Sequence, residues 1–298
     1  MNPADYRKQL TQRIIEQLEK GTAPWVKPWD PSSVPVGSPH NAVTSRFYQG
    51  GNRLWLDCQG YPDPGWCTYK QASEQGWQVR KGERASVVEY WQWEREEKTS
   101  EGKTVRVKLE SPRVFYAHVF NLSQMEGVEP RQEGLVESWE ADRRAERILS
   151  QSGAQIIHDQ RDSAFYSIKL DEIHLPPKLA FPDAGRYYAT ALHELGHWTG
   201  HQDRLKRDLA NSFGTWEYAR EELRAELASY FVCNDLGIIH DPGQHASYIN
   251  DWIKALKKDH NELFRAAKDA EQISEFVLQF VRERELEKVA REELECSL

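Results

Sequence analysis

Residues Ala191 to Asp203 read ALHELGHWTGHQD, and this stretch decides both the fold and the chemistry of the second half of the chain. His193, Glu194 and His197 form an H-E-x-x-H motif. On a helix the two histidines lie one turn apart on one face, the spacing that two imidazoles need to reach a tetrahedral zinc ion at about 2.0–2.1 Å. Glu194 flanks them and could act as general base on a metal-bound water. The motif therefore predicts a metal centre with Glu194 as catalytic residue.

Two side chains that follow the motif are candidates for a third ligand. His201 lies eight residues after His193, a rise of about 12 Å along a helix, so we expect it at the surface or outside the ligand set. Asp203 would complete a metzincin layout, but that class also uses a methionine turn below the metal. The chain has only Met1 and Met125, and neither follows the motif. Both candidates are therefore weak.

A better source of the third ligand is the segment YAREELRAELASYF, whose leucines and aromatic residues form one helical stripe. Glu222 and Glu226 lie one turn apart at the edge of that stripe, and Glu221 is predicted to point away. Two carboxylates beside a buried stripe are costly unless a cation or a histidine compensates them. We expect Glu222 to bind the metal and Glu226 to orient a ligand histidine, with Glu226 as the alternative ligand. The competing interpretation is a solvated charged face.

Two histidines and one glutamate leave a fourth coordination position for water, which is typical of a catalytic rather than a structural zinc site. Zn²⁺ is the expected cofactor, although Mn²⁺ or another divalent ion also suits this set of ligands. Tyr187, Tyr188 and Tyr218 are candidate donors to a developing oxyanion, or core residues. Strands that precede the motif helix could bind an extended peptide along one edge.

The first half of the chain interleaves aromatic rings with positive charge, and seven of the eleven tryptophans fall before residue 94. Rings that stack on unpaired bases, beside cations that follow the phosphates, are typical of proteins that bind single-stranded nucleic acid. Tryptophans are also common in cores, and we expect Trp55, Trp66 and Trp91 to be core residues. The candidate nucleic-acid contacts are Trp25, Lys27, Trp29, Arg46, Tyr48, Arg53, Tyr69, Lys70, Arg80 and Lys81.

Charge and hydropathy restrict the class of protein. The net charge of the 298 residues is −8, but residues 1–130 hold 17 Lys and Arg against 16 Asp and Glu, so the acidic excess lies in the second half. No apolar run approaches the roughly 20 residues of a membrane helix, and residues 1–20 do not resemble a signal peptide. The four cysteines form no C-x-x-C pair and are expected to be free thiols. We expect a cytoplasmic protein without a membrane partner.

Periodicity and turn residues predict two domains, residues 1–128 and 139–298, joined by a polar linker at 129–138. In the first domain we expect a helix that ends near Gly21, a short helix over 69–75 and a hairpin with its turn at 100–103. In the second, Asp183 should cap the motif helix and Gly200 should end it in the left-handed conformation. The remaining elements expected there are helices at 139–149, 216–236, 246–260 and 261–293 and strands near 154–158 and 164–173.

Longer stretches of the chain closely resemble the ArdC-type antirestriction proteins of conjugative plasmids. The stretches that carry the resemblance are APWVKPW, PHNAVTSRFYQGGNRLWL, WCTYKQASEQGWQVRKGERASVVEYW, YYATALHELGHWTGHQDRLKRD and EELRAELASYF. The resemblance implies an α+β protein with an N-terminal α/β domain that binds single-stranded DNA and a mainly helical, zincin-like metallopeptidase domain with a small sheet. It also implies that His193, His197 and a glutamate of the 222–226 segment hold the metal. Ser45 stands where the family pattern leads us to expect a glycine.

These observations support three hypotheses. The first is an antirestriction protein that binds single-stranded DNA during conjugation and carries a metal-dependent peptidase, whose substrate is a host protein or a component of a restriction system. In the second, the metal domain is a non-hydrolytic scaffold or partner-binding module. The third is an ordinary cytosolic zinc protease whose first half recognises protein. Glu194 favours hydrolysis over a scaffold, since a structural metal site needs no general base.

Overall fold

The structure is a computed structural model that describes residues 3–21, 23, 25, 37–98, 104–129, 138–209, 214–241 and 245–295. Its first half mixes short helices with strands, and its second half is mainly helical, as the α+β prediction requires. The elements of the first half are α1 (Pro3–Leu18), β1 (His40–Asn41), α2 (Gly50–Asp57), β2 (Gly65–Thr68), α3 (Tyr69–Glu74), β3 (Gln78–Val79), β4 (Ser86–Lys98), β5 (Thr104–Asn121) and β6 (Met125–Glu126).

The larger sheet of the first half has the strand order β1-β2-β5-β4. β4 and β5 form the predicted hairpin, paired from Ser86 opposite Val119 to Lys98 opposite Thr104, with an irregularity after Gln92. β2 pairs with β5 only near the base of this hairpin, opposite residues 119–121. Most of the hairpin is therefore a two-stranded ribbon. Val88 and Glu89, near its base, are buried, and from Tyr90 onward most side chains of β4 are exposed. Helix α2 was not predicted from the sequence.

The described elements of the second half are α4 (Ser138–Gln151), β7 (Gln155–Ile157), β8 (Phe165–Ser167), β9 (Glu172–His174), α5 (Ala184–Trp198), α6 (Trp216–Leu236), α7 (His245–Lys258) and α8 (Glu262–Glu295). The three strands form a small sheet in the order β7-β9-β8, with β8 antiparallel to β9 at one edge. The strand predicted over 164–173 is two strands, because the chain turns between them at Asp171, which has a positive φ of 56°. Among the described residues, no helix has the length and apolar character to cross a membrane.

One hydrophobic core extends across both halves. Ile14, Ile15 and Leu18 of α1, together with Trp25 and Leu54, join the same buried cluster as the helices of the second half. α1 packs on α7, and α2 packs on α8. Two smaller clusters, around Trp66 and around Leu122, are built from buried residues of the first half, so the first half has cores of its own beside the one it shares with the second half.

The backbone conformations of Ser45 and Gly200 are the opposite of what their residue types suggest. Ser45 adopts the left-handed conformation with a φ of 57°, so the expected glycine is replaced but its conformation is kept. Gly200 is not among the positive-φ residues, so the predicted left-handed helix stop is wrong. A Cβ at Gly200 would lie 2.8 Å from Leu209 Cδ2 and 2.9 Å from Arg207 Nη2. Gly200 is needed for space, since the chain folds back over it.

Candidate metal centre

Helix α5 places the two motif histidines on one face. The Asp183 side chain accepts a hydrogen bond from the backbone N–H of Arg186 at 2.9 Å, which is the predicted N-cap. The imidazoles of His193 and His197 stand 4.9 Å apart, centroid to centroid. At Gly196, between them, an added Cβ would meet Ala225 Cα of α6 at 3.4 Å. The missing side chain therefore allows α6 to approach the histidine face closely.

Glu222 of α6 faces both histidines. Its Oε2 lies 3.4 Å from His193 Nε2, and its Oε1 lies 3.4 Å from His197 Nε2. Among the residues that the structure describes, these three are the one group of His, Cys, Asp or Glu whose ligand atoms all lie within 4.8 Å of one another. Two imidazole nitrogens and a carboxylate form a donor set that fits Zn²⁺ or Mn²⁺.

The remaining nitrogen of each histidine faces another carboxylate of α6. His193 Nδ1 lies 3.5 Å from Glu226 Oε2, which supports the orienting role predicted for Glu226. His197 Nδ1 lies 3.3 Å from Glu221 Oε1. The prediction that Glu221 points away is wrong, because Arg207 reaches it with a 2.8 Å ion pair and compensates its buried charge. No periodic pattern in α6 reveals this partner, since Arg207 comes from the loop after α5.

The charges of this cluster favour replacement of the histidine protons by a divalent metal ion. Burial alone would lower the pKa of His197, but the Glu222 carboxylate and a hydrogen bond with Glu221 raise it to about 9. Burial alone would raise the pKa of Glu222, yet the two histidines hold it below its ordinary range. A divalent ion bound by His193, His197 and Glu222 would displace the histidine protons, so we expect its affinity to increase with pH.

Glu194 lies beside the cluster and is buried. Burial raises the pKa of its carboxyl group, while both motif histidines and a backbone hydrogen bond from Tyr166 of β8 act in the opposite direction. A carboxyl group whose pKa is raised in a low-dielectric site is suited to accept and return a proton. The bond from Tyr166 also connects this group to the edge strand of the small sheet.

Two tyrosines face the cluster from α6 and α7. The hydroxyl groups of Tyr218 and Tyr248 lie 3.5 Å apart, and burial, followed by the negative charge of Glu222, raises the pKa of both. Both hydroxyls therefore remain protonated and able to donate hydrogen bonds. Tyr218 was a predicted donor, whereas Tyr248 was not predicted. The other two candidate donors are engaged elsewhere, with Tyr187 at 3.1 Å from His158 Nε2 and Tyr188 donating to Glu146.

The two rejected ligands lie outside the cluster, as expected. The backbone N–H of Asp203 donates to His201 Nδ1 at 3.3 Å. The side chain of Asp203 is exposed, and neither residue belongs to the group of converging ligand atoms among the described residues. The segment after α5 instead brings Arg207 back to the histidine face, where it pairs with Glu221 at 2.8 Å.

The predicted nucleic-acid contacts separate into three groups. Arg46, Tyr69, Lys70, Arg80 and Lys81 are exposed, and Tyr48 is half-buried. Lys27 and Trp29 lie outside the described residues. Trp25 and Arg53 are buried at 1% and 2% exposure, so the prediction that they contact nucleic acid is corrected. Burial against the second half removes both side chains from any surface that DNA could reach.

The two buried residues connect the halves of the chain. Trp25 Nε1 donates to Glu226 Oε1 at 3.1 Å. Arg53 Nη2 donates to Asp235 at 2.8 Å and to the Phe231 carbonyl at 2.9 Å. Its other amino group pairs with Glu271 at 3.3 Å. The indole of Trp25 and the guanidinium of Arg53 therefore donate to acceptors on α6 and α8. Composition alone cannot reveal these partners.

The tryptophans expected in the core divide as well. Trp55 and Trp66 are buried, which confirms that prediction. Trp91 is exposed on β4, contrary to it, and stacks on Trp93 two residues further along the same face. Four further aromatic residues of the first half are exposed and were not predicted to be so, namely Phe47, Tyr90, Trp93 and Phe115. Alternation along β4 and β5 could have indicated them, since a two-stranded ribbon covers neither face.

Two family models match the chain. The model for the N-terminal domain of the anti-restriction factor ArdC matches residues 4–120, and a model for zincin-like metallopeptidases matches residues 143–269. The metal-free crystal structure of the antirestriction ArdC protein from the R388 plasmid superposes with a TM-score of 0.73 at 34% identity, covering 94% of this chain and 98% of that one. The Mn(II)-bound structure of the same protein matches with a TM-score of 0.71. These matches indicate a divalent metal site.

Longer proteins contain related segments. A DNA primase TraC of Escherichia coli is 49% identical over 97% of this chain, and a second TraC is 50% identical over 92%. The chain spans only 28% and 20% of the length of these two proteins. The uncharacterized protein y4eC of Sinorhizobium fredii is 34% identical, with 92% of both chains covered.

Proposed function

We propose that this chain, which belongs to the ArdC family of antirestriction proteins, protects incoming DNA by binding single strands with its N-terminal half and by hydrolysing a protein with a metal centre in its C-terminal half. Family membership follows from 34% identity to an antirestriction ArdC protein of which the chain covers 98%. The observation that carries the enzymatic part is the convergence of His193, His197 and Glu222 beside the buried Glu194.

His193, His197 and Glu222 would hold the divalent ion, Zn²⁺ or Mn²⁺. A bound ion of this kind polarises a carbonyl group and lowers the pKa of water at its open position. Glu194 would receive the proton of that water and pass it to the leaving amine. Tyr218 and Tyr248 would donate to the oxyanion that develops on the carbonyl oxygen. The arrangement matches acyl transfer to water, the reaction of a peptidase.

An extended peptide has a place to bind beside this site. β8 is one of the two edge strands of its sheet, and its Tyr166 contacts Glu194 through the backbone. An edge strand offers unpaired N–H and C=O groups, which pair with the backbone of an added strand. We expect the scissile bond to lie across Glu194 when a substrate strand pairs with β8. The substrate would be a host protein or a component of a restriction system.

Single-stranded DNA has two candidate stacking surfaces on the first half. The first joins the 41–46 turn to α3, since Asn41 Nδ2 donates to Gln71 Oε1 at 3.1 Å, and it exposes Phe47, Tyr69 and Lys70. The second is the ribbon of β4 and β5, which exposes Tyr90, Trp91, Trp93 and Phe115. Exposed rings next to cations are the features that bind unpaired bases and their phosphates.

The enzymatic part is tested by two substitutions in the full chain. His193→Ala should lose the metal, whereas Glu194→Gln should keep about one equivalent of it and lose cleavage of an unstructured peptide library. Metal content by elemental analysis serves as the control for each variant. Cleavage by a metal-loaded Glu194→Gln protein would overturn the mechanism. A metal-loaded wild type without cleavage of peptides or of restriction subunits would support the alternative, a non-hydrolytic partner-binding module.

The DNA part is tested on exposed lysines. Lys70→Ala combined with Lys81→Ala should weaken binding to a single-stranded oligonucleotide. Each lost phosphate contact should also reduce the slope of log K against log[salt] by about 0.7. The matched control combines Lys254→Ala with Lys257→Ala on the exposed surface of α7. Fluorescence anisotropy over a salt series measures both, and equal slopes in the two double variants would place the DNA elsewhere.

A further inference from the structure

Trp25 is a residue of the N-terminal half that ends in the wall of the C-terminal metal site. Its ring is fully buried and lies against Trp252 of α7, with centroids 5.8 Å apart. Its Nε1 donates to Glu226 Oε1 at 3.1 Å. The other oxygen of the same carboxylate lies 3.5 Å from His193 Nδ1, at ion-pair distance but without hydrogen-bond geometry. Three side chains thus form a continuous series from the first half of the chain to a metal-ligand histidine.

We propose that Trp25 is a positioning residue for the metal centre, so that the N-terminal half completes a site whose ligands all come from the C-terminal half. This inference rests on the metal site proposed above. An indole N–H can only donate, so it fixes one oxygen of Glu226 as an acceptor and leaves the other for the imidazole N–H of His193. The tautomer that directs His193 Nε2 toward the metal is then the favoured one.

The surroundings of Glu226 explain why one hydrogen bond carries this weight. The carboxylate is buried, so it cannot turn to water when a donor is lost. His240 Nε2 also faces Glu226 Oε1, at 3.9 Å. Removal of the indole N–H would take away a donor that fixes one oxygen of the carboxylate, and the orientation of His193 would become less defined.

A consequence follows for the relation between the two halves. If seating of the N-terminal half strengthens metal binding, then bound metal must strengthen that seating by the same factor. The N-terminal half is held in place by contacts such as the hydrogen bond from Thr11 Oγ1 to the His260 carbonyl at 2.7 Å. Such contacts would then contribute to the free energy of metal binding. The metal affinity would therefore depend on whether the first half is packed against the second.

The test compares two buried tryptophans in the full chain. Trp25→Phe removes the indole N–H and keeps an aromatic ring, and it should weaken Zn²⁺ binding by up to about 10-fold, the lower end of the loss for a group that touches a ligand directly. Trp252→Phe is the matched control, because no acceptor for its Nε1 is found among the described residues. It should bind Zn²⁺ as the wild type does. Affinity is measured by competition with a chromophoric chelator, which requires no substrate.

Two further variants keep the test decisive. If Trp25→Phe fails to fold, benzothienylalanine at position 25 replaces only the N–H by sulfur and keeps the ring shape. In a Glu226→Gln background, the loss caused by Trp25→Phe should disappear, since the two residues act in series. Wild-type affinity in Trp25→Phe, equal losses in both phenylalanine variants, or losses that add in the double variant would each overturn the inference. If His193→Ala binds Zn²⁺ as the wild type does, the metal site itself fails instead.

Discussion

The N-terminal half has an inner and an outer face built from the same kinds of residue. On the inner face, Trp25 and Arg53 are buried against α6 and α8 at 1% and 2% exposure. On the outer face, Trp93 is 52% exposed and the Lys70 side chain 87% exposed. Both pairs combine an indole with a cation, the composition that predicted nucleic-acid binding. Only the outer pair is free to meet a ligand.

The difference shows that composition identifies a class of contact but not the partner. An indole N–H and a guanidinium are strong donors, and each is satisfied by whichever acceptor the fold brings near. On the inner face the acceptors are the protein's own Glu226, Asp235 and Glu271. On the outer face we propose that they are phosphates and bases. Substitutions on the two faces should therefore affect different measurements.

The largest effect is expected at Arg53. Arg53→Ala leaves Asp235, Glu271 and the Phe231 carbonyl without their shared buried donor, and we expect a loss of about 3–5 kcal/mol in the free energy of unfolding. Urea denaturation followed by circular dichroism measures it. Lys70→Ala, at an exposed ion pair with Glu74, is the control and should change stability by less than about 1 kcal/mol. Equal losses would erase the distinction between the two faces.

An intermediate effect is expected at Trp93. Trp93→Ala should leave the urea midpoint unchanged but weaken binding of a single-stranded oligonucleotide by about 1–3 kcal/mol, the value of one stacked base. Leu179→Ala, at a 99% exposed apolar residue of the second half, controls for loss of exposed surface. Undiminished DNA affinity would assign the stacking surface to Phe47 and Tyr69 instead of the ribbon.

The sequence was most informative where function follows from spacing along a single helix. The bounds predicted for α6, 216–236, match the structure, because its capping threonine, leucine stripe and terminal glycine all act locally. The separation of His193 and His197 and the expectation that His201 lies outside the ligand set also follow from helix geometry. Their convergence needed only one packing contact, that of α5 with α6 at Gly196.

Features that depend on distant segments were not accessible in this way. Glu221 is buried because Arg207 reaches it, and Trp25 is buried because Glu226, 201 residues later, accepts its N–H. Helix α2 was missed because two glycines begin it, although Gly51 is required where a Cβ would lie 2.5 Å from the ring of Phe264. In each case a tertiary partner overrides the local preference.

The smallest effect is expected at Ser45, on the outer face. The left-handed backbone conformation is about 1–2 kcal/mol less favourable for a residue with a side chain than for glycine. Part of this advantage of glycine is offset because glycine has more conformational freedom in the unfolded chain. Ser45→Gly should therefore stabilise the protein by about 0.5–1 kcal/mol, measured as a shift of the urea midpoint. Ser73→Gly in α3 is the opposite control, since glycine in a helix is destabilising. Destabilisation by Ser45→Gly would mean that the serine side chain has a role of its own.

The core shared by α1, Trp25 and the C-terminal helices also limits how evolution can recombine this protein. A crossover between residues 120 and 143, where the two family models meet, would separate Ile14, Ile15 and Leu18 from the side chains that bury them. Each product would carry an unfinished apolar surface and tend to aggregate. We therefore expect both halves to be inherited as a single cassette, and the TraC relatives match this chain across 97% and 92% of its length.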